Sequence, residues 1–290
     1  MTRLQKISIN AGFSCPNRDG KVGRGGCSYC NNQSFVPGYC QSQKSVTQQL
    51  EEGKLFFHHK YPHQKYIAYF QSYTNTYAPL QHLKDLYEEA LACPDVVGIS
   101  IGTRPDCVNE ELLDYLAQLN QRAQIVVEYG IESTSDVTLQ RINRGHDYAC
   151  AVHAVQQTSL RGLQVVAHLI LGLPGEDRDT MLEHATRLSK LPIDGLKLHQ
   201  LQLVRGTRMA QEYEQCPQDF RLFTVHEYID LVIDFLERLR SSIHVERYIS
   251  QSPKELLIAP DWGLKNYEFI NKLRHRIAER STFQGRLFVE

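Results

Sequence analysis

GFSCPNRDGKVGRGGCSYCNN, residues Gly12 to Asn32, decides how the rest of the chain is read. It carries cysteines at Cys15, Cys27 and Cys30. A Cys-x-x-Cys pair can turn both sulfurs toward one site, and a third thiolate brought in across a glycine-rich loop leaves one of four coordination positions without a cysteine. Iron–sulfur clusters are held by cysteine thiolates, and an iron with no protein ligand is open to a small molecule. Gly20, Gly23, Gly25 and Gly26 allow the close backbone approach that wrapping a cluster requires. Cys40 lies ten residues beyond Cys30, so four thiolates around a structural zinc ion fit the same spacing. Spacing alone leaves both metals open.

Outward from this loop, the 290 residues suit an α/β barrel or a core with an extension, and 42% hydrophobic content supplies a large core. Basic and acidic residues nearly cancel, 32 against 33, so no global field draws the chain to nucleic acid or to a membrane surface, although a local patch could still serve RNA. There is no run of eighteen apolar residues and no charged-then-apolar leader, which predicts a cytoplasmic protein off the membrane. Eight cysteines are too sparse for a disulfide scaffold, and in a reducing compartment a Cys-x-x-Cys reads as metal-binding or catalytic.

Taken in order, Arg3–Asn10 ends in alternating Ile7 and Ile9 and predicts a strand that delivers the chain into the cysteine loop. Ser45 to Gln48 reads as a capping box opening a helix with Val46, Leu50 and Phe57 inward. His58, His59 and His63, beside Lys60 and Lys65, read as a solvated helix end rather than a metal site. Tyr66–Gln71 predicts a second strand running into the polar tip Ser72 to Thr76. Val96–Ile101 predicts a third, closing on Thr103, Arg104 and Asp106, and Asn109 caps the next helix. Ile125–Ile131 is a nearly continuous apolar fourth strand, interrupted by Glu128 and followed by Glu132. Val165–Gly172 is a fifth, before Leu173-Pro174-Gly175-Glu176, and Leu196–Val204 a sixth.

Strands alternating with helices predict parallel βαβ units, and polar or glycine residues close each strand at the end where α/β barrels place their chemistry. Six units fall short of the eight that close a barrel. The expected fold is α/β: a partial (β/α)6 barrel over residues 1–207, with a C-terminal α/β extension over 208–290 available for substrate binding. In that extension Thr224–Arg240 predicts an amphipathic helix, Ile243–Ile249 one more strand, and Leu264–Arg280 a helix with a basic face. Such a face can track phosphates and is more often simply solvated.

Six strings, GFSCPNRDGKVGRGGCSYCN, YFQSYTNTYAPL, VGISIGTRPDC, LQRINRGHD, HLILGLPGE and LKLHQLQLVRGT, lie between residue 12 and about residue 207. In combination they make the chain resemble the radical S-adenosylmethionine (SAM) superfamily, and more narrowly a bacterial radical SAM family related to the catalytic subunit of Elongator. Their co-occurrence favours iron–sulfur over zinc. The superfamily's usual spacing is C-x3-C-x2-C, whereas eleven residues separate Cys15 from Cys27 here, a length the narrower family accepts. Relatives carry a short extension ahead of the first strand, while this chain opens almost on it.

The resemblance implies a [4Fe–4S] cluster on Cys15, Cys27 and Cys30, with SAM chelated at the fourth iron. One electron passed through the cluster then breaks a C–S bond and frees a 5′-deoxyadenosyl radical that takes hydrogen from substrate. It sets Tyr29 near the adenine, Gln71, Ser72 and Thr74 at the amine region, and His168 at the ribose. Glu132 and Arg144, twelve residues apart, fall at the ribose and the methionyl carboxylate, and Thr103 and Arg104 at SAM or substrate. The implied substrate is tRNA at its wobble uridine, and the implied electron donor a flavodoxin or ferredoxin. The balanced charge suits the same chemistry on a small molecule or a protein side chain, and a zinc-stabilised binding module without catalysis is the reading of another class. Structural roles compete at several positions. Tyr29 would brace the loop, His168 would be a hydrogen-bonded core histidine, Glu128 would pair with Arg104 or Arg144, and Arg141 would cap or pair locally. Cys40, Cys93, Cys107, Cys150 and Cys216 share no spacing motif and read as ordinary thiols.

Overall fold

β-Branched and aromatic runs become strands and leucine-spaced runs become helices in the computed structural model, which describes residues 4–58 and 64–289. His59 and His63, expected beside a helix end, lie outside the described residues. Strand β1 (Leu4–Ile9) leads through the short helix α1 (Pro16–Asp19) to α2 (Val46–His58). Repeats follow: β2 (Lys65–Phe70) with α3 (Leu80–Ala92), β3 (Val96–Thr103) with α4 (Glu110–Leu119), and β4 (Gln124–Glu132) with α5 (Asp136–Arg141) and α6 (Tyr148–Leu160). Next come β5 (Gln164–Leu171) with α7 (Arg178–Ser189), then β6 (Gly195–Gln200), β7 (Leu203–Val204) and α8 (Arg208–Gln215). The chain closes with α9 (Val225–Arg238), β8 (His244–Arg247), β9 (Leu257–Ala259) and α10 (Asn266–Glu279). Seven strands are parallel members of one sheet, the expected α/β alternation carried one strand further, while β7 and β9 pair antiparallel on their own.

Two compact units make up the chain. The first comprises the stretch up to Arg24, Val36–Gly130 and His153–Val165. Its strands β1, β2, β3 and β4 run side by side, with Ile9 opposite Phe70, Phe70 opposite Ile101 and Thr103 opposite Tyr129. Parallel strands covered on both faces need apolar side chains at successive positions, and Ile7, Ile9, Phe70, Ile99, Ile101, Ile125 and Val127 are all fully buried. Helix α2 starts where Ser45 and Gln48 exchange the two bonds of a capping box, each 3.1 Å. It crosses β1 so closely that a Cβ on Gly53 would sit 2.3 Å from Cγ2 of Ile7, which is why that turn of the helix carries glycine. Asn109 caps α4 by accepting from the Leu112 amide at 2.9 Å, which turns Leu112, Leu113, Leu116 and Leu119 inward.

The second unit comprises Gly25–Phe35, Ile131–Val152 and Val166 onward. Here β5, β6 and β8 are parallel neighbours, Leu171 opposite Gln200 and Gly195 opposite His244. The sixth strand is shorter than its apolar run predicts. After Gln200 the side-chain amide exchanges bonds of 2.9 and 2.8 Å with the backbone of Ser250, and the chain leaves the sheet to pair with β9. Helix α8 has no counterpart in the sequence reading, because only Met209 and Ala210 of its eight residues are buried; Thr207 caps it through the Ala210 amide. Helix α9 behaves as its pattern predicts, with a Thr224–Glu227 capping box and Tyr228, Leu231, Val232 and Phe235 buried. On the basic face of α10 and at its C-terminal cap, Arg276 pairs with Asp230 at 2.9 Å and Arg280 with Asp234 at 2.5 Å. Among the described residues no helix is long and apolar enough to cross a membrane.

Candidate cofactor site

In the second unit the Cys-x-x-Cys is a tight turn closed by the Cys30 amide donating to the Cys27 carbonyl at 3.1 Å. Three further bonds pin that turn. The Ser28 amide donates to the Ile142 carbonyl at 2.9 Å, the Met209 amide donates to the Ser28 carbonyl at 2.9 Å, and the Asn143 side chain donates to the Gly26 carbonyl at 2.8 Å. Asn143 does this from a left-handed backbone (φ 53°), which Asn tolerates better than most residues. The string LQRINRGHD therefore acts locally as a bracket for the cysteine turn. Its next residue, Arg144, is 5% exposed and donates from a guanidinium nitrogen to Sγ of Cys27 at 3.5 Å. Burial opposes the Arg144 charge, but Tyr29, Cys27 and Glu132 around it outweigh that and hold the guanidinium firmly protonated.

Tyr29 lies half-buried inside this group, its ring against a cluster that includes Leu139, Ile142, Ile170, Leu173 and Met209. Burial first, then the negative potential of Cys27 and Glu132, raises its phenol well above the ordinary value, so it stays neutral. This packing agrees with the bracing reading of Tyr29. Glu132 ends β4 with φ 69°, a conformation that costs a non-glycine residue free energy and persists only where the surroundings enforce it. The enforcement is next door. Oγ of Ser133 donates to Glu176 at 2.6 Å, Glu176 also contacts Nε2 of the buried His184 at 3.0 Å, and Nδ1 of His184 meets Oγ1 of Thr134 at 2.8 Å. Glu176 and His184 had no assigned role in the sequence reading; a carboxylate in an otherwise apolar strand tip was the only signal. His168 is half-buried and stacks on His199, ring centroids 5.3 Å apart.

The first unit holds the remaining candidates. Cys15 stands half-buried between β1 and α1. Beyond β2, Gln71 accepts from Oγ of Ser8 at 3.0 Å, Ser72 and Thr74 are buried, and the Thr74 amide donates to the Ser14 carbonyl at 3.2 Å, tying this tip to the residue before Cys15. Thr103 pairs with Thr76 through their hydroxyls at 2.5 Å. Arg104 is 3% exposed and grips Asp106 with two bonds of 2.8 Å. Glu128 takes its named partners from the neighbouring strands. It accepts from Lys6 at 2.8 Å, Tyr69 at 2.8 Å and Ser100 at 2.6 Å, because parallel strands bring these side chains of β1, β2 and β3 to its level. Arg141, expected to find a partner nearby in the sequence, instead reaches Glu212 of α8 at 2.9 Å, because the fold brings α8 beside α5.

Cys40 stands apart from the other loop cysteines. It is buried, donates its thiol to the Ser8 carbonyl at 2.9 Å, and burial pushes it up to about 12, so it stays protonated and is a poor metal ligand. Among the described residues no three His, Cys, Asp or Glu side chains converge on one point as a zinc ion demands.

Gly23 tests how tightly the loop is built. A Cβ there would lie 2.2 Å from Oδ1 of Asn17, which is itself fully buried. Gly23→Ala is expected to leave the melting temperature within a few degrees and to lower iron incorporation by roughly tenfold, the scale on which disturbing a ligand's support acts; full iron content in that variant would contradict a tight fit.

A loop with three cysteines in its sequence follows the first strand of a parallel α/β sheet, and the class of protein that shares this order is an enzyme family. The chain belongs to the Radical SAM superfamily, whose family model matches residues 15–188, and a Radical_SAM C-terminal domain model matches residues 193–279. The cofactors of that superfamily are a [4Fe–4S] cluster and SAM. Within it, the chain is 39% identical over 286 residues to the protein YtqA of Bacillus subtilis (strain 168), covering 99% of this chain and 88% of that one. Among solved structures, the archaeal Methanocaldococcus infernus Elp3 lacking residues 1–46 superposes with a TM-score of 0.74 at 14% identity, over 98% of this chain and 65% of that one, which shows a shared partial-barrel fold. A more distant match, 26% identical over 140 residues, is the tRNA uridine(34) acetyltransferase of the same organism, with 47% of this chain and 25% of that protein aligned.

Proposed function

We propose that Cys15, Cys27 and Cys30 hold the cluster and that the enzyme acts on tRNA at the wobble uridine, in the cytoplasm, with a reduced flavodoxin or ferredoxin as electron source. One observation carries the ligand assignment: the buried Arg144 guanidinium donates to Sγ of Cys27 at 3.5 Å, so the sulfur of the Cys-x-x-Cys turn is held in place by a donor from the bracket that follows β4. The donor set fits the group in two further respects. All eight cysteines are free, so no disulfide withdraws any of the three, and Gly25 and Gly26 take positive φ where the chain turns into Cys27.

When bound, the cluster and SAM supply a 5′-deoxyadenosyl radical by one-electron cleavage of a C–S bond. The chain's own residues bind, orient and exclude water. Arg144 offers the planar fork that reads a carboxylate, and Glu132 offers acceptors to ribose hydroxyls. Tyr29 lends an apolar face to adenine, His168 a ring nitrogen to the ribose, and Gln71, Ser72 and Thr74 polar groups to the amine. Thr103 and Arg104 border the cofactor on the substrate side. In this reading residues 1–207 carry the cofactors and residues 208–290 meet the substrate.

Similarity to the wobble-uridine acetyltransferase and to the Elp3 fold supports tRNA as the substrate class. Comparison of tRNA nucleosides from cells with and without the gene tests it. The expected result is the loss of one modified uridine on deletion and its return with the intact gene. Identical nucleoside profiles would overturn the tRNA assignment and leave the cofactor chemistry standing.

A further inference from the structure

We infer that the outer face of the Cys15 loop is the docking surface for an acidic one-electron carrier protein. The inference rests on the proposed role of Cys15 as a cluster ligand, and it places the entry of the electron, which neither the fold nor the comparisons locate.

Pro16–Arg24 holds three cations, Arg18, Lys21 and Arg24, against one carboxylate, Asp19, in a chain whose net charge is −1. Lys21 and Arg24 are exposed, and between them Val22 is 46% exposed. The Asp19 carboxylate accepts from the Lys21 amide at 3.1 Å and is hydrogen-bonded to Tyr77, while its backbone bridges to Arg24. Two of the cations lie over aromatic faces of the neighbouring β2 tip, Arg18 at 5.9 Å from the ring centre of Tyr73 and Lys21 at 5.2 Å from that of Tyr77. Tyr73 is itself 41% exposed, with φ 62°. The loop is stiff, since the amides of Val22 and Gly23 both donate to the Pro16 carbonyl, at 2.9 and 3.2 Å. Beside it opens a cavity of about 420 Å³ walled by Pro16, Lys21, Val22 and Tyr77 together with Asp106, which is paired with Arg104, and Glu111. Pro16 is the residue after Cys15, so a partner seated there stands one residue from a cluster ligand.

Cations around a small apolar spot on a rigid loop suit a brief, electrostatically steered encounter, and electron-transfer complexes occupy the small end of the interface range. The patch is short for RNA, whose phosphates would call for a longer basic track. The step balances simply: one electron leaves the reduced carrier, which is oxidised by one equivalent, and the cluster is reduced by one.

The test pairs the wild-type chain with the double variant K21E/R24E and uses an acidic bacterial flavodoxin as the probe. Titration of the cluster-free full-length chain, read by flavin fluorescence, is expected to give binding that weakens with salt and is at least tenfold weaker in the variant. In the cluster-loaded proteins, reduction by flavodoxin hydroquinone should slow by at least tenfold in the variant, while reduction by dithionite stays unchanged. Equal flavodoxin affinity in the two proteins would overturn the inference, and so would a variant that keeps flavodoxin binding and loses tRNA binding. Failure of the wild-type chain to take up a cluster would count against Cys15 as a ligand, whereas the cluster-free titration reads the patch regardless.

Discussion

Cys27→Ala should yield a folded protein with no iron–sulfur absorbance and no SAM cleavage above background. Cys27 is 7% exposed, sits in a turn fixed from both sides by backbone bonds to Ile142 and Met209, and faces the Arg144 guanidinium at 3.5 Å. Loss of a group that merely supports a metal ligand costs about 10–100-fold in affinity or activity. Loss of the ligand itself should exceed that range and bring iron and sulfide content to the blank. Cys40→Ala is the matched control, because its protonated thiol is engaged with the Ser8 carbonyl, and it should retain full iron. A Cys27→Ala protein that keeps its brown colour would remove this cysteine from the ligand set.

The second large effect is on stability. Glu128 is 1% exposed and has among its partners Lys6, Tyr69 and Ser100, drawn from β1, β2 and β3. Glu128→Ala leaves the lysine ammonium and two hydroxyls facing a space that held their acceptor. Breaking a buried ion pair by removing one partner costs roughly 3–5 kcal/mol, because the remaining charge is uncompensated. Lys6 keeps a third of its side chain in water, which puts the expectation at the lower end, about 3 kcal/mol. Thermal melting followed by circular dichroism should fall by on the order of 10 °C. A shift of under two degrees would show that the strands hold register without this carboxylate.

Much of this molecule is legible in its sequence, for physical reasons that can be named. Strands buried on both faces announce themselves as apolar runs, so β4 and β5 fall within a residue or two of where Ile125–Ile131 and Val165–Gly172 place them. Side-chain caps are local, so Ser45, Asn109 and Thr224 mark helix starts without knowledge of the fold. Other features depend on contacts across long sequence separations. The break after Gln200 needs Ser250, fifty residues on, to supply the competing hydrogen bonds. Helix α8 hides because its buried surface is small.

At the site, the resemblance singled out Arg144 and Glu132, and the second unit brings both to Tyr29 and the Cys-x-x-Cys turn. It gave no role to Asn143, whose side chain holds the Gly26 carbonyl from a left-handed backbone. Nor did it give one to the Glu176–His184 couple behind Ser133 and Thr134. These residues act through others, and the pattern of a motif does not distinguish a residue that touches a ligand from one that steadies its neighbour. Glu128 shows a further limit: charge suggests an arginine partner, while the lysine, tyrosine and serine that strand register brings to it lie far away in the sequence.

The most direct test of the account is electron paramagnetic resonance of the anaerobically reconstituted and reduced protein, recorded with and without SAM, alongside iron, zinc and acid-labile sulfide analysis. Three cysteine ligands and one open iron predict iron and sulfide in equal amounts and a reduced-cluster signal whose g values move when SAM is added. Zinc without sulfide, or a cluster signal indifferent to SAM, would contradict it.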